Sequence, residues 1–324
     1  MQQPEPRRDM AALDVRGSIV AMLSPESSNA SSRASAIGKL QDQGAISMYY
    51  RKLEGNHLVT VLVPTTYPQT ILDAASAVTA ARAVCLVGGY DLDWRDGELL
   101  LLMASSSPQL RVVESPVSER VTAVLRSSGL EGFHVGSQGS CVDQVTGLSP
   151  QEAAGKGLVL VDRAFNVRGV GLVMLGFSKM GSVEVHDELV AVPSMKRVTV
   201  KSIEVLDEPV SGVGPDVRVG LALKGASLEE VEGTYMLVRE PDQVINEVSG
   251  VVRRFPWADE VRQGRQYHLA YLGVVAPVTA SMVNGDRVAF RATRPLPKGD
   301  RYVLIDVNVR PPRPRVIGWV ERLA

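Results

Sequence analysis

The spacing of apolar and polar positions changes once, near Gly155 and Gly157. Up to about residue 154, short apolar runs alternate with longer mixed segments. The runs 18–23 (SIVAML), 57–63 (HLVTVLV), 83–89 (AVCLVGG) and 110–113 (LRVV) predict buried strands, because each is short, apolar or β-branched, and bounded by turn residues. Segments 68–82, 96–107 and 118–128 predict the helices between them, and strand, helix, strand in this order predicts a parallel sheet covered by helices. After Gly157 the period is two. Segments 158–167, 181–192, 197–206 and 216–225 alternate inward and outward residues with glycines between them, the pattern of a small antiparallel barrel. A second β-rich unit starts near Val244 and runs through 267–283, 286–296, 300–309 and 314–323. Within it "RPPRPR" (310–315) reads as a stiff connection between strands. The expected fold class is therefore α/β plus all-β: a loose tail over 1–13, a doubly wound α/β domain over 14–154, and β-barrels over 158–243 and 244–324.

Composition narrows the class without changing that picture. The 324 residues are 45% hydrophobic and 22% charged, with a formal net charge of -1, as in a soluble folded protein. Cys85, Cys141 and four scattered histidines offer no metal-ligand spacing, so neither a zinc site nor a disulfide framework is expected, and a reducing cytoplasm fits. The longest apolar stretch, 81–89, falls well short of the about 18 residues a membrane helix needs. Charge is uneven: 13 Lys and Arg face 16 Asp and Glu over 1–157, but 13 face seven over 244–324. A basic excess of this kind attracts phosphate backbones. No nucleophile, base and orienting group stand together. Ser24, Ser27, Ser28 and Ser32 have no histidine partner in sequence, and His186 beside Asp187 and Glu188 reads as a barrel turn, so no catalytic residues and no metal ligands are expected.

Three ordered pieces, "DRAFNVRGVGLVMLG" (162–176), "GSVEVHDELVAVP" (181–193) and "VRVGLALKGASLEEVEGTYML" (217–237), resemble the second domain of elongation factor Tu and of the selenocysteine-specific elongation factor. Gly169 and Gly171 permit the tight turn there, and Gly176 a close strand approach. The closing "RVIGWVERL" (315–323) is similar to the third domain of the selenocysteine factor. This resemblance implies that the α/β domain is GTPase-like, and that its phosphate loop should follow the first strand with two glycines, a lysine and a hydroxyl residue. Those places fall on Leu23, Ser28, Asn29 and Ala30. After 57–63 the family's aspartate, glycine and water-positioning histidine fall on Pro64, Tyr67 and Pro68, and the guanine-reading segment falls near 114–117, "ESPV".

Three losses in three loops imply a degenerate GTPase domain that binds neither GTP nor magnesium, with no cofactor. The family's barrels grip transfer RNA, so the resemblance implies a non-enzymatic translation-factor paralogue whose partner is tRNA, the ribosome or another translation protein, with no membrane and no particular DNA involved. Arg253, Arg254, Arg291, Arg294, Arg310, Arg313 and Arg315 are the candidates for phosphate contact. Two other expectations compete: a protein-interaction scaffold that does not bind RNA, and a GTPase with a non-standard phosphate loop.

Overall fold

A computed structural model describes residues 15–323. In its α/β part the chain runs β1 (Arg16–Leu23), α1 (Ser27–Ile37), β2 (Lys39–Asp42), β3 (Ile46–Leu53), β4 (His57–Pro64), α2 (Leu72–Ala80), β5 (Ala83–Val87), α3 (Trp94–Ser105), β6 (Leu110–Glu114), α4 (Ser118–Ser127), β7 (His134–Gly136) and α5 (Ser140–Thr146). The seven strands form one sheet in the order β2-β3-β4-β1-β5-β6-β7. Neighbours β1, β5, β6 and β7 are parallel, while β2 and β3 are antiparallel.

The buried runs read from the sequence are the central strands, since a strand covered on both faces has no reason to alternate. Val20, Met22, Ala83 and Cys85 share one core with Ala30, Ala34 and Ile37 of α1 and Cys141 and Val145 of α5. The pleat sends Ile19, Ala21, Val84 and Leu86 to the other face. Helix α3 opens on a capping box, in which the Asp93 carboxylate accepts the Arg95 amide at 2.7 Å and Asp96 accepts that of Asp93 at 3.1 Å. Five elements were absent from the sequence reading: α1, β2, β3, β7 and α5.

The first barrel comprises β8 (Leu158–Val167), β9 (Gly171–Met180), β10 (Val183–Glu184), β11 (Glu188–Val192), β12 (Lys196–Val205), β13 (Glu208–Val210), β14 (Gly212–Val213), β15 (Val217–Lys224) and β16 (Met236–Val238). Six strands close a ring, β11-β16-β8-β9-β15-β12, through the antiparallel β11–β12 pairing. The β8–β9 turn uses Gly169 and Gly171 at φ 84° and 99°, as the sequence predicted. Segment 181–192 is two strands, β10 and β11, with the turn at His186, read as such from the sequence, at φ 77°.

The second barrel is β17 (Val244–Arg254), β18 (Gln266–Tyr271), β19 (Val274–Asn284), β20 (Arg287–Pro297), β21 (Arg301–Ile305) and β22 (Val316–Arg322). Its closed order is β17-β20-β19-β18-β21-β22. Residues 267–283, read as one stretch, are two strands joined at Leu272 and Gly273, both with positive φ. "RPPRPR" does lie between strands, β21 and β22.

The described residues group into two compact units. One holds Pro150–Arg239 with Glu54–His57 and residues 15–17; the other holds Ser18–Leu53, Leu58–Ser149 and the chain from Glu240 onward. The α/β sheet and the second barrel thus belong to a single unit. Within it the Arg315 guanidinium lies on the Glu98 carboxylate at 2.6 and 3.0 Å, and Arg301 donates to the Ala104 and Ser105 carbonyls, both at 2.9 Å, at the end of α3. A cation there satisfies carbonyls that the helix leaves unpaired. Ser76 of α2 donates to the Gly273 carbonyl at 2.7 Å, and Thr79 accepts the Gly273 amide at 3.1 Å.

Candidate functional site

In an open sheet with parallel strands, ligands bind outside the strand carboxyl ends. The structure has a cleft of about 300 Å³ there, lined from α1 by Arg33, from the end of β5 by Gly88, Gly89 and Tyr90, from β6 by Glu114 and from the loop after β7 by Gln138. Glu114 is buried, pairs with the Arg33 guanidinium and accepts the Cys141 amide at 3.2 Å. A carboxylate out of water needs such partners. Tyr90 stands 74% exposed at the mouth. The sequence reading reached Glu114 through the "ESPV" segment but missed Arg33 and Tyr90; Gly88 and Gly89 were read inside the strand run 83–89, whereas β5 ends at Val87.

The connection from β1 to α1 differs in kind from a phosphate site. Strand β1 ends at Leu23 and α1 begins at Ser27, so Ser24, Pro25 and Glu26 make the whole connection. Proline has no N–H. The Glu26 amide turns inward to the Ser24 hydroxyl at 3.3 Å, and the Glu26 carboxylate, at the helix N-cap position, pairs with Arg95 at 2.7 Å. A helix N-terminus favours negative charge, and here the chain supplies its own. Leu23 is buried; Ser28 and Asn29 lie in the first turn of α1, and Ala30 is buried against the sheet.

The second set of positions is built into structure as well. Pro64 ends β4 and is buried, and the buried Tyr67 donates its hydroxyl to the Arg95 carbonyl at 2.9 Å. Burial, with the nearby Glu98 carboxylate adding, pushes the Tyr67 phenol far above its ordinary range. The Pro68 carbonyl accepts from Arg315 at 3.0 Å.

The arginine candidates divide sharply. Arg315 is a correction to the surface reading: it is buried, its guanidinium and its amide are all committed to Glu98 and Pro68, and it presents nothing to a phosphate in solvent. Arg253 pairs with Glu321 and Arg313 with Asp259, each at 2.8 Å, while Arg254 donates to the Ala258 carbonyl and Arg294 to that of Val275. Arg291 and Arg310 are exposed, and among the described residues neither side chain has an ion-pair partner. Arg253 and Arg254 also line a groove of about 720 Å³ with Phe255 and Trp319, together with Glu260 and Asp286, so its walls carry both signs. Of the aromatic residues near it, Phe255 is buried and stacks on Trp257 at 5.4 Å, with Trp257 46% exposed; Phe290 is core, edge-on to Tyr267. Among the described residues no helix is long and apolar enough to cross a membrane.

No family model matches the chain. Comparison with curated proteins finds 30% identity over 153 residues with an uncharacterised protein of Methanocaldococcus jannaschii, covering 46% of this chain and 50% of that one. The selenocysteine-specific elongation factor of the same organism is 41% identical over 80 residues, 25% of this chain and 17% of the factor; that of Escherichia coli is 27% identical over 187 residues, 51% and 30%. These matches span half or less of each relative's length. Among solved structures, translation elongation factor SelB from Methanococcus maripaludis in complex with the GTP analogue GppNHp superposes with a TM-score of 0.75 at 17% identity, covering 96% of this chain and 80% of that one. A bacterial selenocysteine-specific elongation factor gives 0.74 at 15% identity, covering 95% and 58%. In sequence over part of its length, and in fold over nearly all of it, the chain is similar to selenocysteine-specific elongation factors.

Proposed function

We propose that this chain is a non-catalytic translation-factor paralogue, a constant-state binder of tRNA or of another component of the translation machinery, whose α/β domain holds neither GTP nor magnesium. The observation that carries the reading is the connection Ser24-Pro25-Glu26 between β1 and α1. A triphosphate is held by several backbone N–H groups converging on it, by a lysine charge and by a hydroxyl on magnesium. Here the path is three residues long, one of them without an N–H and one bringing a carboxylate, and the first turn that follows offers Ser28, Asn29 and Ala30. Without a γ-phosphate to order loops, the usual nucleotide-driven transition has no trigger, so activity would follow partner binding and abundance.

The test is titration calorimetry with GTP and GDP in the presence of magnesium, at concentrations able to detect a Kd of about 100 µM, or roughly -5.5 kcal/mol. No saturable heat is expected. Tight, magnesium-dependent GTP binding accompanied by hydrolysis would sink the reading and make the chain a switch.

A further inference from the structure

We infer that the groove beside the end of β17 is a docking site for a basic segment of another protein, an extended peptide that carries arginine or lysine among apolar residues. The inference goes beyond the proposed function and stands whether or not the α/β domain holds a nucleotide.

An extended guest follows from the backbone. β17 runs to Arg254, but the last of its residues paired with β20 is Val251, opposite Arg287. The next amide on that edge, Val252, donates to the Asp286 carbonyl in the β19–β20 turn at 2.8 Å. Beyond it β17 has a neighbouring strand on one side only: Arg253 and Arg254 pair with Trp319 and Gly318 of β22, and the Phe255 amide donates to the Ile317 carbonyl at 2.9 Å. Amides alternate in direction along a strand, so that of Arg254 points to the edge β20 has left, where Arg254 lines the groove. An edge of this kind accepts an added strand.

The floor and the charges select what that strand carries. Val252, Val261, Val283 and Phe255 supply the apolar part, and the volume of about 720 Å³ is in the range of ligand sites. Trp257, stacked on Phe255 at 5.4 Å and 46% exposed, offers an aromatic face of the kind that attracts a cation. Four charged side chains line the groove. Arg253 is held by Glu321 and Arg254 by the Ala258 carbonyl, whereas the Glu260 and Asp286 carboxylates are exposed and have no hydrogen bond or ion pair among the described residues. With Glu321 included, two arginines face three carboxylates, and the charges left uncommitted are both negative. Complementarity therefore favours a cationic guest and disfavours a polyanion.

The experiment exposes the full chain to two pools of capped octapeptides, randomised over apolar residues except at two fixed positions, arginine in one pool and glutamate in the other, and separately to a tRNA. Tryptophan emission is the readout, because two of the three tryptophans, Trp257 and Trp319, stand at the groove. The series is repeated on the double variant Glu260→Lys with Asp286→Lys, and on Glu229→Lys with Glu232→Lys, an equal change of charge at exposed positions of the other compact unit. Expected are saturable binding of the arginine pool, binding of the glutamate pool about tenfold or more weaker, a loss of about tenfold or more in the groove variant, and a loss under about twofold in the other. No binding of the arginine pool at about 100 µM overturns the inference. Equal losses in the two variants also overturn it, because the peptide then answers to net charge and not to the groove. An emission change with tRNA and none with the arginine pool overturns it as well, and makes the groove an RNA contact.

Discussion

At Glu98 and Arg315 a side chain fully withdrawn from water meets one that is 7% exposed, across 217 residues of sequence. From the sequence Arg315 was one more cation in a basic tail; nothing local distinguishes it from Arg313, which is exposed and paired with Asp259. Charge is legible in a sequence, whereas the face a charge occupies depends on a partner far along the chain. Breaking a buried pair strands the remaining charge, at a cost of about 3–5 kcal/mol. Arg315→Ala should therefore lose stability on that order in denaturant unfolding, whereas Arg313→Ala should lose less than about 1 kcal/mol. Equal losses in the two variants would refute this division between inner and surface arginines.

Among the elements, the β8–β9 hairpin was legible down to its glycines, while α1 was not. Turn glycines declare themselves because a positive φ or a close strand approach excludes most other residues. Gly176 is the clearer case: an added Cβ would fall on the Leu160 carbonyl of the neighbouring strand. Gly176→Ala is expected to cost about 1–3 kcal/mol or more, read from the denaturation midpoint; an unchanged midpoint would show that the barrel yields there. Helix α1 buries Ala30, Ala34 and Ile37, at spacings of four and three, but among serines, an asparagine and an arginine two of those three are too small to produce an apolar stripe that stands out. β2 was missed because most of its residues are exposed.

For the whole molecule, the class of fold followed from the change of period near residue 155; of the strands whose ends frame the cleft, β5 and β6 were legible and β7 was not. The placement of charge was not legible: of the 13 Lys and Arg over 244–324, Arg253, Arg265, Arg313, Arg315 and Arg322 are held in ion pairs. If RNA is the partner, Arg291 and Arg310 are the two of the seven candidate arginines whose side chains have no partner among the described residues. Each is expected to lower the slope of log K against log salt for a tRNA by about 1 when changed to alanine; an unaltered slope in both variants would move the partner to another surface or another class. The joint between α3 and the second barrel has a further consequence. Cut near Glu240, the barrel would carry a guanidinium with no carboxylate, and α3 would keep carboxyl-terminal carbonyls with no donor. This barrel is therefore not a transplantable module: a fusion or truncation that borrows it must borrow α3 as well.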